Sequence, residues 1–148
     1  MTEENVTKAI LSYLIGRGWE IVAFDFPQSG TGRSLHPSDS ASKNAGVLIP
    51  DVVAKKGGVS IYMENKDHYF PEDFIKVNSV FQTRMYAESF LRVLGVNQDT
   101  MFGGIGMPES CCDLIVEDVK GLVDFVLRVS DEGIVDVDYI APGKNIVF

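Results

Sequence analysis

The stretch that decides the fold is IPDVVAKKGGVSIYMENK, residues 49–66. Two runs rich in apolar and β-branched residues flank the dipeptide Gly57-Gly58, a strong signal for a two-residue hairpin turn. The pattern predicts strands over 47–56 and 59–66. With a two-residue turn, cross-strand partners have residue numbers that sum to 115, so Asp51 is expected directly opposite Glu64.

This register sorts the side chains of the hairpin onto two faces. One face is polar and consists of Asp51, Tyr62, Glu64 and Lys66, whereas the other is apolar and should pack on a helix: Val52, Ala54, Val59, Ile61 and Met63. Directly opposed carboxylates have Cβ atoms about 5 Å apart and destabilise a sheet unless something compensates. A divalent cation is the natural compensator, and hard oxygen ligands suit Mg²⁺, with Mn²⁺ able to substitute. The alternative is an ordinary charged surface on a solvated hairpin.

Hydrophobic periodicity and turn residues predict the remaining elements. Helices are expected over 3–17, 74–94 and 119–129, and further strands over 19–26, 101–106 and 134–140. The Ser-, Gly- and Pro-rich segment 27–46 has neither period and is predicted to be a long loop, of the kind that is usually functional or mobile. The order of helix, three strands, helix and strand indicates an α/β fold with a mixed central sheet.

Composition limits the kind of protein. A chain of 148 residues with 45% hydrophobic content fits one domain spanning 1–148. The polar N-terminus MTEENVTK is unlike a signal peptide, and without an apolar run of roughly 18 residues we expect a cytoplasmic protein with no membrane partner. The net charge of −8 opposes general nucleic-acid binding. However, residues 95–148, with 3 basic and 10 acidic residues, carry −7 of it, which leaves the first two-thirds near neutral.

A known signature coincides with the hairpin. Pro50-Asp51, twelve intervening residues and Glu64-Asn65-Lys66 resemble the PD-(D/E)XK signature of the restriction-endonuclease-like superfamily. The resemblance covers about Glu3 to Gly106 and implies an αβββαβ core, a mixed sheet flanked by helices, and metal-dependent hydrolysis of phosphodiester bonds. It further implies that the metal is bound by Asp51, Glu64 and the main-chain carbonyl of Asn65. Lys66 would orient water or counter charge that develops on the phosphate.

Two narrower resemblances add candidate residues. Residues 7–22, PQSG at 27–30 and the hairpin are similar to archaeal Holliday junction resolvases, including a loop serine at Ser29. Where those resolvases carry a helix-1 glutamate, this chain has Thr7. Glu3, one turn earlier, is expected to replace that glutamate, with Glu4 as the alternative. The other interpretation of Glu3 and Glu4 is an acidic first turn that interacts favourably with the helix dipole.

The second resemblance lies after the core. Gln82 and Tyr86 look like the QxxxY element of RecB-type nucleases, and residues at i and i+4 share a helix face, so both are expected to point at the site. Ser29, Arg33, Lys43 and Tyr86 are the predicted nucleic-acid contacts. The alternatives are a helix surface with a partly buried tyrosine and a flexible loop without function.

The function predicted from the sequence is a Mg²⁺-dependent DNA endonuclease, either of restriction type or a resolvase acting on branched DNA. Cutting both strands needs two such chains, which predicts a homodimer or a partner subunit. Two other classes stay open. One is a catalytically inactive DNA-binding or assembly module of the same fold, and the other is an RNA or nucleotide phosphohydrolase.

Overall fold

The structure is a computed structural model of the chain and describes residues 1–26, 30–38 and 46–148. Within these residues the core is a mixed six-stranded sheet whose strands lie side by side in chain order. The strands are β1 Glu20–Phe24, β2 Val52–Lys56, β3 Val59–Asn65, β4 Met101–Pro108, β5 Phe125–Val129 and β6 Val135–Ile140. The β3–β4 and β4–β5 pairs are parallel and the other three pairs are antiparallel. This arrangement confirms the predicted α/β fold with a mixed sheet.

Two longer helices pack on the sheet. They are α1 Glu3–Gly16 and α2 Pro71–Gln82. The shorter helical segments are α3 Ala87–Ser89, a π-helix Phe90–Leu94, a 3₁₀ turn Gln98–Thr100, α4 Glu109–Cys112 and α5 Glu117–Lys120. The succession of α1, β1 to β3, α2 and β4 is the predicted αβββαβ order. No helix of the described residues is long and apolar enough to cross a bilayer.

The hairpin of β2 and β3 has the predicted register. Its pairs run from Lys56↔Val59 to Val52↔Met63 and all sum to 115. Gly57 and Gly58 have φ angles of 57° and 82°, which the type I′ turn requires at both central positions. Strand β2 begins at Val52, five residues later than predicted. Asp51 directly precedes it and still pairs through its carbonyl, which accepts a hydrogen bond from the Asp25 N–H at 3.0 Å.

Helix α1 covers the apolar face of the hairpin, as predicted. The helix begins after Thr2, whose side chain caps it by accepting a hydrogen bond from the Asn5 N–H. Its fully buried residues pack in one cluster with the apolar residues of β2 and β3: Val6, Ile10 and Leu14 of the helix with Val52, Ala54, Ile61 and Met63. The polar face of the hairpin is therefore turned toward the opposite layer, which contains α2.

The prediction of one helix over 74–94 is wrong. Helix α2 ends at Gln82, and Thr83 has extended backbone angles. The side chain of Gln98 donates to the Thr83 carbonyl at 2.9 Å, and the Ser38 N–H donates to the Met85 carbonyl at 3.0 Å. The carbonyl groups that lose their helical hydrogen bonds at the break thus accept hydrogen bonds from distant residues, and these bonds stabilise the break.

The prediction of a helix over 119–129 is also wrong. Helix α5 ends at Lys120, and Phe125 to Val129 form a strand between β4 and β6. Phe125 and Leu127 pack on the α1 side of the sheet, whereas Val126 packs on the other side. A strand that is buried on both faces is a continuous apolar run, which hydrophobic periodicity cannot distinguish from a short helix.

Candidate metal centre

The two acids of the signature meet where β2 begins and β3 ends. The Asp51 Oδ2 atom accepts a hydrogen bond of 2.7 Å from the backbone N–H of Asn65, the residue that follows Glu64. Glu64 is only 3% exposed, although it lies near the end of its strand. The structure therefore brings Asp51 and Glu64 together on one side of the sheet, as the register predicts.

Glu64 is held through one of its two oxygens. The hydroxyl of Tyr62 donates a short hydrogen bond to Oε1, and Nζ of Lys76 lies 3.2 Å from the same atom. Tyr62 is itself fixed, because it is fully buried and its ring stands edge-on to Phe81 and Phe90. Among the described residues, no amide, hydroxyl or ammonium donor is bonded to Oε2 of Glu64 or Oδ1 of Asp51, and these two oxygens could bind a cation.

In the metal-free protein the two carboxylates of the pair repel each other, and burial adds to the cost of charging both. Burial, followed by the charge of Glu64 and a hydrogen bond with it, raises the pKa of Asp51 from 3.8 to about 8. The Asn65 N–H and the charge of Lys66 oppose this rise and do not overcome it. In the absence of metal the pair therefore retains a proton at neutral pH. A divalent cation can replace that proton, since metal ligands must be deprotonated.

This raised pKa predicts how the stability of the metal-free protein depends on pH. Below about pH 4 the Asp51 carboxyl is protonated in both the folded and the unfolded chain, whereas between about pH 4 and 8 only the folded protein keeps the proton. The free energy of unfolding should therefore fall as the pH rises through this range. Asp51→Asn keeps an acceptor for the Asn65 N–H and has no proton to lose.

We expect Asp51→Asn to flatten this pH dependence and to raise the Tm at pH 8 by at least about 3 °C, which corresponds to about 1 kcal/mol in a chain of this size. Thermal unfolding in EDTA at pH 5 and pH 8 measures both effects. A variant that is less stable than the natural chain at pH 8 would contradict the raised pKa of Asp51.

The lysine of the signature is held by acids from two helices. Nζ of Lys66 lies 3.6 Å from Oδ1 of Asp73 in the first turn of α2 and 3.7 Å from Oε1 of Glu3 at the start of α1. Partial burial lowers the pKa of Lys66, but the charges of Asp73, Glu64 and Glu3 outweigh it and raise the pKa. Lys66 is therefore a charged ammonium held beside the carboxylate pair.

Asn65 uses its side chain on the opposite face of the sheet. Its Nδ2 donates to Oγ1 of Thr7 at 3.0 Å, and both residues are buried. Gly106 on β4 permits this approach, because a Cβ there would collide with Ile10 and with the Asn65 side chain. Since its side chain faces away from the two carboxylates, Asn65 can contact a metal at the acid pair only through its main chain. This agrees with the prediction that its carbonyl is a metal ligand. Thr7 stands where the resemblance placed a glutamate and bonds to Asn65.

The other predicted residues are distributed differently. Glu4 points away to Lys8, at 3.6 Å, with both side chains about half exposed. Gln82 is exposed at the end of α2, and the Tyr86 hydroxyl donates to the carbonyl of Gly46. The expectation that Gln82 and Tyr86 share one helix face is wrong, because the break at 83–86 separates them.

The predicted nucleic-acid contacts in the long loop are only partly described. Arg33 is exposed. Ser29 and Lys43 lie outside the described residues.

Sequence reasoning missed the contribution of α2. Asp73 and Lys76 are one turn apart, and they contact Lys66 and Glu64 respectively. A signal for this helix start was present: Pro71 followed by Glu72 and Asp73 is the composition favoured in a first helical turn. It would have moved the predicted start from Phe74 to Pro71 and added Asp73 to a predicted helix that already contained Lys76.

The donor set fits a small hard cation. In the part of the chain that the structure describes, no three His, Cys, Asp or Glu residues form a metal cluster. Asp51 and Glu64, with a main-chain carbonyl, make up a sparse oxygen set. Mg²⁺ typically binds through one or two carboxylates and retains several waters, whereas Ca²⁺ demands more ligands. The residues present therefore fit Mg²⁺ or Mn²⁺.

Comparison with solved structures assigns the fold to a class. No model of a protein family matches the chain, and no curated protein matches it significantly. The fold is that of an α/β protein with a mixed central sheet and the αβββαβ order, and the solved structures that share it include two crystal structures. One is an XisH family protein from Nostoc punctiforme PCC 73102, with 13% identity, a TM-score of 0.52, and coverage of 93% of this chain and 99% of that chain.

The second is an fdxN element excision controlling factor protein from Anabaena variabilis, with 14% identity, a TM-score of 0.51, and coverage of 89% and 95%. Identities this low establish the fold alone. The narrower resemblance to archaeal Holliday junction resolvases finds no support in these neighbours and remains a prediction from the sequence.

Proposed function

We propose that this chain is a metal-dependent nuclease that hydrolyses phosphodiester bonds in DNA. The observation that carries the proposal is the Asp51–Glu64 pair, in which Glu64 is buried, Asp51 is partly buried, and each carboxylate has one oxygen held by a donor. The charged ammonium of Lys66 lies beside the pair. On an ordinary surface hairpin we would not expect two carboxylates side by side with one of them buried, since their repulsion costs stability.

Each residue has a role in this proposal. Asp51, Glu64 and the carbonyl of Asn65 hold Mg²⁺ or Mn²⁺. A metal ion held there would supply Lewis-acid chemistry for the phosphoryl oxygen, the attacking water and the leaving oxygen. Lys66 counters the charge that develops on the phosphate. Glu3 and Asp73 hold Lys66, and Tyr62 holds Glu64.

DNA is the first substrate class to test. The sequence signature resembles that of DNA nucleases, and the Anabaena variabilis neighbour is described as controlling the excision of an element. A chain with one such site cuts one strand, so a homodimer or a partner subunit is part of the proposal for duplex or branched DNA. The choice between restriction-type cleavage and junction resolution depends on the substrate that is cut.

The decisive experiment offers linear duplex, four-way junction, single-stranded DNA and RNA side by side, each with Mg²⁺, Mn²⁺ or EDTA. We expect cleavage of at least one DNA substrate with either metal and none in EDTA. Asp51→Asn, purified in parallel, reports any contaminating nuclease. Binding to DNA without cleavage would favour the inactive module, and cleavage of RNA alone would favour the RNA phosphodiesterase.

The two acids at the start of α1 should differ in their effect on activity. Glu3→Gln removes a partner of Lys66 and should reduce the cleavage rate by about tenfold or more, because groups that orient a site residue typically contribute that much. Glu4→Gln breaks only an exposed pair with Lys8 and should leave the rate near normal. Steady-state rates of both variants test this ranking. The reverse order would assign the site to Glu4, and two silent variants would leave both acids a capping role.

A further inference from the structure

Lys76 on α2 supplies an exposed positive charge beside the carboxylate pair. Its Nζ is 3.2 Å from Oε1 of Glu64, and its side chain is 49% exposed while that of Glu64 is 4% exposed. Lys66 is different, because it is 23% exposed and has two acids against it, Glu3 and Asp73. Of these two lysines, Lys76 is the one that can leave its partner and reach solvent.

The charge balance of the site favours displacement of Lys76 from Glu64 when a metal binds. Four acids surround the site and two lysines oppose them: Asp51, Glu64, Glu3 and Asp73 against Lys66 and Lys76. Even with one proton on the pair, the metal-free site is negative and repels a phosphodiester. A divalent cation on the pair reverses this repulsion. It also repels the Lys76 ammonium, since both would share the charge of Glu64 at short range.

Leaving Glu64 costs Lys76 little. The Lys76 side of this ion pair is half exposed, and a divalent cation on the buried Glu64 carboxylate would replace the positive charge that Lys76 takes away. Glu64 Oε1 keeps its other donor, the Tyr62 hydroxyl, so no buried oxygen is left unpaired. The ammonium has three donors and a flexible stem, which suits a phosphate oxygen.

We propose that Lys76 is a substrate-binding residue that contacts the phosphodiester after metal binding has displaced it from Glu64. This inference rests on the proposed nuclease function. According to this proposal, the two donors on Glu64 Oε1 have opposite effects on metal binding. Tyr62 orients the carboxylate for the metal, whereas Lys76 competes with the metal and serves the substrate.

The chain offers a closely matched control for this lysine. Lys55 also lies 3.2 Å from a glutamate, Glu20, and its side chain is 48% exposed. That pair belongs to β1 and β2 near the turn of the hairpin, at the other end of the strands from Asp51 and Glu64. Lys55→Met and Lys76→Met therefore remove the same charge from a half-exposed lysine at the same distance from a glutamate, once outside the site, where the glutamate is exposed, and once inside it, where the glutamate is buried.

The test measures binding and does not depend on turnover. Calorimetric titration with Mn²⁺ gives the metal affinity, and the anisotropy of labelled duplex and junction DNA gives the DNA affinity, with Ca²⁺ present and at several salt concentrations. For Lys76→Met we expect Mn²⁺ affinity equal to or higher than that of the natural chain. We expect DNA affinity about tenfold lower, with a salt dependence smaller by about one phosphate contact.

The companion variants separate the roles. Lys76→Arg should bind DNA almost as the natural chain does, Lys55→Met should change neither affinity, and Tyr62→Phe should weaken Mn²⁺ binding by about tenfold. Unchanged DNA affinity in Lys76→Met, or weaker Mn²⁺ binding in that variant, would overturn the assignment of Lys76 while leaving the nuclease proposal in place. A natural chain that binds Mn²⁺ but no DNA would overturn both.

Discussion

Asp51→Asn and Glu64→Gln will each lower Mg²⁺-dependent cleavage by at least about 10³-fold, which is about 4 kcal/mol of lost transition-state stabilisation. Each substitution keeps the shape of the side chain and the oxygen that accepts the local hydrogen bond, from the Asn65 N–H or the Tyr62 hydroxyl. What is lost is the negative charge that a divalent cation requires. Cleavage rates over a range of Mg²⁺ concentrations measure the effect.

The control for this pair of variants is Glu20→Gln. Glu20 is an exposed acid that pairs with Lys55 beyond the site, so its loss should leave the rate unchanged. Circular dichroism and thermal unfolding must show that both site variants are folded. A folded variant of Asp51 or Glu64 that cleaves DNA at the natural rate would refute the metal centre.

Lys66→Met will reduce turnover by about 10² to 10³-fold, the range found when one group that stabilises transition-state charge is removed. Metal affinity should remain within a few-fold of the natural value, because an ammonium has no lone pair for a cation. Single-turnover cleavage and Mn²⁺ titration separate the two quantities.

Lys8→Met is the control for Lys66→Met, since Lys8 pairs with Glu4 on the outer side of α1. It should retain full turnover. If Lys66→Met lost only metal binding and regained the natural rate at high Mg²⁺, Lys66 would act on the metal ligands and not on the phosphate.

The part of the site that could be predicted from sequence is the part fixed by local geometry. A two-residue glycine turn determines the register of its own hairpin, and alternation then determines which side chains share a face. Asp51, Glu64 and Lys66 follow from these two rules. The apolar spacing of Val6 and Ile10 likewise predicts the helix that covers the other face.

What could not be predicted depends on contacts between distant segments. The break after Gln82 is stabilised by Ser38 and Gln98, which lie far from it in the chain, so no pattern within 74–94 reveals it. The crossing of α2 over the sheet decides that Asp73 meets Lys66 and Lys76 meets Glu64. Periodicity identifies the polar face of a helix but not the strand residue that this face will contact.

The tight turn at Gly57-Gly58 also has a consequence for the order of folding. Asp51 and Glu64 are 13 residues apart, and hairpins of this kind close in about 1–10 μs. Pairing of β3 with β4 must instead close a connection from Asn65 to Met101, which makes it slower. Pulse-labelled amide exchange during refolding should therefore protect the Asn65 N–H before the amides of β4. The acid pair should then form early, and the helices should bring Glu3, Asp73 and Lys76 to it later.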